Sequence, residues 1–95
     1  MTQYFKRNWD ETTGDELTDS WGISTYYFET DSDLNIIRQI QVFQNGQVLK
    51  YHQEFMEDEF GMLSDQQLDK DEFKEFSIDS SEFIDIWNRL ERKTI

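Results

Sequence analysis

The chain has 95 residues and carries 21 Asp and Glu against 9 Lys and Arg, a formal net charge of -12, with no Cys, no Pro, no Ala and one His. These counts exclude a disulfide framework, a thiolate metal site and a cysteine nucleophile, and they leave a multi-histidine metal centre without ligands. The charge opposes direct binding of nucleic acid, which needs clustered Lys and Arg, and of anionic membrane surfaces.

The length is that of one domain, residues 1-95. High charge and low hydropathy are the composition of disordered chains. Two counts oppose that reading: Leu, Ile, Val and Phe total 24 residues and the aromatics 15, and large rings bury much area with few residues. A folded domain of modest stability is expected, weakened at low salt by repulsion among carboxylates. Met1 to Trp9 lacks a signal-peptide pattern, and the longest apolar run is Tyr26-Tyr27-Phe28. A cytoplasmic protein is expected.

In chain order, Tyr4 to Trp9 reads as a first strand, and Asp10 to Ser20 as a polar acidic loop. Trp21 to Thr30, rich in aromatic and β-branched residues, reads as a second strand. Asp31-Ser32-Asp33 connects it to a third strand, Asn35 to Gln44, with Ile36, Ile40 and Val42 on one side and Ile37 and Phe43 on the other. Asn45-Gly46 then lies between two apolar runs, the preferred pair for a type I′ hairpin turn. Gln47 to Phe55 alternates Val48, Lys50, His52, Glu54 against Leu49, Tyr51, Gln53, Phe55, which predicts a fourth strand with one buried and one wet face. Glu54 to Glu72 is acidic and irregular, with a capping-box pattern at Ser64-Asp65-Gln66-Gln67. Phe73, Phe76 and Ile78 suggest an extended lead into a C-terminal helix. Asp79 with Glu82 opens that helix, and Phe83, Ile86, Trp87 and Leu90 make one apolar stripe. Acids at its start and Arg89, Arg92 and Lys93 at its end complement the helix dipole. The predicted fold class is α+β: an antiparallel meander of four to five strands with one amphipathic C-terminal helix packed on a face.

Carboxylate pairs are so frequent here that pairing carries no catalytic information. His52 is a candidate general base or pH sensor, though a half-exposed strand position explains it as well. Glu29, Asp31, Asp33 and Asn35 recur at spacing two, yet an EF-hand needs Gly at position six and Glu at twelve, and neither count supplies them. No cofactor, metal site or catalytic residue is therefore expected, and the chain reads as a non-enzyme.

The distribution of charge is more informative. Residues 8–37 hold eight acids and no Lys or Arg, and residues 54–85 hold twelve acids against Lys70 and Lys74. A solvated surface ordinarily mixes both signs, because a one-sign field costs stability. A basic partner is the natural explanation. Aromatic anchors inside a charged rim make up interface hot spots, and Tyr4, Trp9, Trp21, Tyr26, Tyr27 and Phe60 cannot all be core. Packing of Trp9 against Trp21 on the helix-free face is the competing account. The candidate partner-binding set is Asp10, Glu11, Asp15, Glu16, Asp19, Trp21, Asp31, Asp33, Glu57, Asp58, Glu59 and Phe60.

Val42-Phe43-Gln44-Asn45-Gly46 and the run Ser77-Ile78-Asp79-Ser80-Ser81-Glu82-Phe83-Ile84-Asp85-Ile86-Trp87 give the chain a further likeness. In these segments and in the order of its features it resembles a family of small bacterial proteins found among the immunity proteins of polymorphic and contact-dependent toxin systems. The resemblance implies a cytosolic protein that binds and neutralises a cognate toxin domain, one-to-one, with no catalytic residues of its own. Many such toxins are nucleases, whose clefts are basic to hold phosphates. Two other readings use the same residues: a phage-type DNA mimic that inhibits a host nuclease or DNA-binding protein, and a small ligand-binding module or enzyme around His52.

Overall fold

The computed structural model of the chain describes residues 2–91. Four strands, β1 (Gln3–Trp9), β2 (Ser24–Thr30), β3 (Ile36–Phe43) and β4 (Val48–His52), form one antiparallel sheet in the order β1-β2-β3-β4. Two helices follow, a single turn α1 (Lys70–Phe73) and α2 (Ser80–Arg89). The meander and its C-terminal helix are thus as the sequence pattern predicts. No helix among the described residues is long and apolar enough to cross a membrane.

The register shows what each face carries. Tyr4, Glu29, Arg38 and His52 align across the sheet, as do Lys6, Tyr27, Ile40 and Lys50. This is the face under α2, where Phe83 is fully buried against Tyr27, Ile40 and Val48, with Ile86, Trp87 and Leu90 packed around it. Of the two sides of β4, one was expected to be wet, yet the Val48-Lys50-His52 side lies under the helix and the Leu49-Tyr51 side is also buried. Lys50 is half-buried, and its ammonium donates to the carbonyls of Trp87 (2.7 Å) and Leu90 (3.1 Å). It satisfies the open end of α2 from the sheet, while its Nζ also lies 4.3 Å from the Trp87 ring centroid. Arg89 sits in the last turn and pairs with Asp85 at 3.3 Å; Arg92 and Lys93 lie outside the described residues. Asp79 occupies the position before the helix, but its side chain makes no capping hydrogen bond.

The other face holds the larger core: Phe5, Phe28, Phe43, Leu49 and Tyr51 from the sheet, joined by Trp21, Leu34, Ile36, Leu63 and Phe73. Loops and the single turn α1, through Phe73, cover it. Residues 54–69 fold back over the sheet, and the buried Gln39 pins them there. Its amide donates to the Met62 carbonyl (3.3 Å) and accepts from the Ser64 N–H (3.1 Å). Both faces of this small sheet are thus buried, which explains how so polar a chain obtains enough apolar contact to fold.

Several local expectations are corrected. β2 begins at Ser24 because Asp19–Trp21 forms a 3-10 turn and Gly22 (φ +90°) redirects the chain. The positive φ favours glycine there, and a Cβ at this position would also crowd the Gln44 Cβ at 3.0 Å. Ile36 belongs to the loop-covered core with Phe43, on the opposite side from Ile40. A bulge opposite Glu29 and Thr30 inserts one residue and flips the alternation. The hairpin at Asn45-Gly46 exists, but it is not type I′. Gly46 N–H closes a turn onto the Phe43 carbonyl at 3.0 Å, Gly46 has φ +92°, and Asn45 is not at positive φ. That is a three-residue loop ending in a left-handed glycine. β4 ends at His52, where Phe55 turns back to bridge it.

Ser64-Asp65-Gln66-Gln67 opens no helix. The working cap is Asp69, whose carboxylate accepts from Glu72 N–H at 3.0 Å at the start of α1. Phe73 to Phe76 continues as helical turns and not as an extended lead; only Ser77 and Ile78 are extended, bridging to Phe5 and Tyr4.

Candidate functional site

The acidic loop between β1 and β2 is ordered by its own carboxylates. Asp15 accepts from Leu17 N–H (2.8 Å) and Asp19 from Gly14 N–H (3.0 Å). The hydrogen bond from Thr12, then that from Gly14, lowers the Asp19 pKa. Thr18, nearly fully buried, ties the loop to Thr13 through their hydroxyls at 2.6 Å. Asp10, Glu11, Asp15, Glu16 and Asp19 all remain exposed.

At the tip of the covering segment, Glu57 and Glu59 are exposed and Asp58 is half-buried. One Asp58 oxygen accepts from Tyr51 Oη (2.8 Å), Phe60 N–H (2.9 Å) and Gly61 N–H (3.2 Å). Phe60 lies against Trp21, ring centroids 5.3 Å apart. That contact brings the 57–60 turn to Trp21, just past the end of the 10–19 loop. Asp31 and Asp33 lie elsewhere, at the far end of β2, roughly 20 Å away along seven strand residues. Asp31 is engaged in its own turn: it accepts from the backbone N–H of Asn35 and Asp33 and from the Asn35 side chain. The Asn35 backbone bond leads the causes that lower its pKa.

Two residues of the expected interface belong to the fold. Trp21 is 4% exposed, edge-on to Phe43 at 5.0 Å, so its ring is core and not a free anchor; nor is it found packed on Trp9. Asp58 holds the turn. Replacing it by Ala leaves the Tyr51 hydroxyl and two backbone N–H groups without their acceptor. A loss of about 1–3 kcal/mol is expected in urea denaturation, together with faster amide exchange at residues 58–61; a purely exposed contact residue would change neither.

Two described aromatics are exposed, Phe55 and Trp9; Trp9, 39% accessible, stands edge-on to Tyr26 at 6.5 Å. It borders an open cleft of about 860 Å³ on the loop-covered face. Tyr26, Phe28 and Gln39 of the sheet line it together with Glu11 to Thr13, Met62, Ser64 to Asp69 and two residues of α1. Within it Arg7 pairs with Glu72 at 2.9 Å, and its guanidinium carbon lies 5.5 Å from the Trp9 ring, 5.1 Å from Phe73 and 5.3 Å from Phe76. Strand alternation puts Phe5, Arg7 and Trp9 on one side of β1. What placed that side next to Tyr26 and residues 62–69 was long-range register, invisible in the local pattern.

His52 stands at the end of β4, half-buried, with its ring edge-on to Trp87 at 5.9 Å. Its Nδ1 accepts from Glu54 N–H at 3.2 Å, so one nitrogen terminates the strand. It shares a smaller hollow of about 410 Å³ with Lys50, Phe55, Trp87 and Glu91. Among the described residues no three His, Asp or Glu side chains are grouped so as to hold a metal ion.

The basic side chains complete the electrostatics. Arg7 is held by Glu72, Arg38 by Glu29, Lys50 by the end of α2 and Arg89 by Asp85. These four cations are turned toward groups of the chain itself; Lys6 lies over the Tyr27 ring, and Lys70 and Lys74 are exposed in and just after α1. No protein-family model matches the chain, and no curated protein and no solved structure matches it either.

Proposed function

We propose that this chain is an immunity-type inhibitor: a cytosolic protein that binds a basic toxin domain, of nuclease type, one-to-one, and blocks it without chemistry of its own. The observation that carries the reading is the joining of the 10–19 loop and the 57–60 turn through Trp21 and Phe60. That contact puts the 57–60 turn, with Glu57 and Glu59 exposed, beside Trp21 at the end of the acidic 10–19 loop, whose Asp10, Glu11, Asp15, Glu16 and Asp19 are exposed, so that one partner can meet both segments. Carboxylates so arranged can stand where a nuclease holds phosphates. A one-sign surface also steers a basic partner, with association approaching about 10⁸–10⁹ M⁻¹s⁻¹ at low salt.

The test is capture and inhibition together. The immobilised chain is expected to retain one basic protein at equal stoichiometry, to release it as salt rises, and to suppress that protein's nuclease activity in a one-to-one titration. Reversing Glu11, Asp15 and Glu16 to Lys should slow association at least about tenfold. A partner held unchanged at high salt, or one whose activity is unaffected, refutes the reading. Capture of a host DNA-binding protein in place of a toxin supports the DNA-mimic alternative.

A further inference from the structure

We infer that the cleft beside Trp9 is the docking point for an extended, arginine- or lysine-bearing segment of the partner; this rests on the proposed function and locates its specificity. Three observations converge. The first is size: about 860 Å³ lies within the ~300–1,000 Å³ of sites that enclose a whole ligand, room for several residues of extended chain. The second is the lining. The accessible Trp9 ring stands at one rim and the half-exposed Met62 at the other, with the Tyr26 and Phe28 rings, stacked at 5.4 Å, below. Apolar anchors inside a polar rim are what interface hot spots are made of.

The third is charge. Glu11, Asp65, Asp69 and Glu72 face the single cation Arg7. An anionic ligand is repelled by this set and a neutral one makes no use of it; a cationic segment is complemented. The fold itself demonstrates the chemistry, since Arg7 already rests among Trp9, Phe73 and Phe76 with Glu72 as counter-ion. Glu72 and Asp69 are engaged by Arg7 and by the start of α1. The exposed Glu11 and Asp65, which both line the cleft, are the carboxylates that an incoming guanidinium or ammonium meets, with the accessible Trp9 ring in the same lining.

The experiment uses the full chain and an octapeptide alternating glycine and arginine, with a glycine–glutamine octapeptide as neutral control, followed by NMR at low salt. The arginine peptide is expected to shift the Trp9 indole N–H, the Gln39 side-chain amide and the amides of residues 64–67. Trp9→Ala and the pair Glu11→Lys/Asp65→Lys should each weaken binding about tenfold. The pair Glu57→Lys/Glu59→Lys, an equal charge change on the acidic turn outside the cleft, should weaken it less than about threefold. The same spectra verify that each variant is folded. If both charge-reversed pairs weaken binding equally and Trp9→Ala has no effect, the cleft is refuted while general acidic capture stands. If the arginine peptide binds no better than the neutral one, the cleft is likewise refuted, and the proposed function is judged separately by the inhibition titration.

Discussion

Phe83→Ala is expected to cost about 3–5 kcal/mol, as for a fully buried phenylalanine cut to a methyl. A domain of this length has about 5–14 kcal/mol in all. Phe83 has no accessible surface and is the only fully buried side chain of α2. It packs on Tyr27, Ile40 and Val48, lies 5.4 Å from the Tyr4 ring, and stacks at 6.1 Å with Trp87. Without it the ten-residue helix has no deep anchor, and an isolated helix of that length is not stable in water. The thermal midpoint should fall by more than about 10 °C, with loss of far-ultraviolet helical signal and a red shift of Trp87 fluorescence. A fall of only a few degrees would show that Ile86, Trp87 and Leu90 hold the helix by themselves.

The second large effect is expected at the Glu29–Arg38 pair. Glu29 is 6% exposed, and its two oxygens accept from Arg38 Nε at 2.5 Å and Nη2 at 2.9 Å. Arg38 also lies over the rings of Phe83 and Trp87, at 5.2 and 4.8 Å, so it links sheet and helix. Burial pushes the Glu29 carboxyl up; hydrogen bonds from Arg38 and Tyr4 and the Arg38 charge outweigh it and leave the pKa lowered. Removing only the arginine by Arg38→Ala strands a buried carboxylate, at a cost of about 3–5 kcal/mol. Replacing both, as Glu29→Leu/Arg38→Met, should recover most of the loss, since a well-packed apolar pair often matches a buried ion pair.

The pH dependence separates these variants. In the parent, the folded pKa of Glu29 lies below its ordinary value of 4.5. Its stabilisation is therefore complete above that value and is lost as pH falls through the lowered one. In Arg38→Ala burial is left as the dominant influence and the sign reverses: the folded pKa is raised above 4.5, and stability falls as pH rises from that ordinary value through the raised one. Urea midpoints across the acid range should show the two slopes opposed. Parallel slopes would mean that water reaches Glu29 once the arginine is gone.

These effects arise where residues distant in sequence meet, and they mark how far local pattern reaches. The four strands, the hairpin site and α2 with its stripe are legible because each is a short-range signal: alternation, an Asn-Gly pair, a 3.6-residue period. The candidate site was legible only as charge. The unmixed acids of residues 8–37 and 54–85 are a property of the chain, whereas the meeting of the 57–60 turn with Trp21, and the placing of Asp31 and Asp33 at the far end of β2, follow from the fold. Trp21, expected at the interface, is core while Trp9 is exposed, because exposure depends on what covers a ring. Trp21 is buried by Phe60, 39 residues away in sequence, and by Phe43 across the hairpin.

By itself the sequence determined composition, charge, element order and the amphipathic C-terminal helix. Each is settled by covalent connectivity or by contacts within a turn or two. Tertiary structure alone decided which sheet face α2 covers and that the opposite face is roofed by residues 54–69 through Gln39. It also decided that Lys50 closes the end of α2 from a neighbouring strand. The bulge beside Glu29 and Thr30 shows why: one inserted residue reverses the face of every residue beyond it. Side-chain environment therefore depends on register, and register is set by the packing of the whole sheet against its two covers.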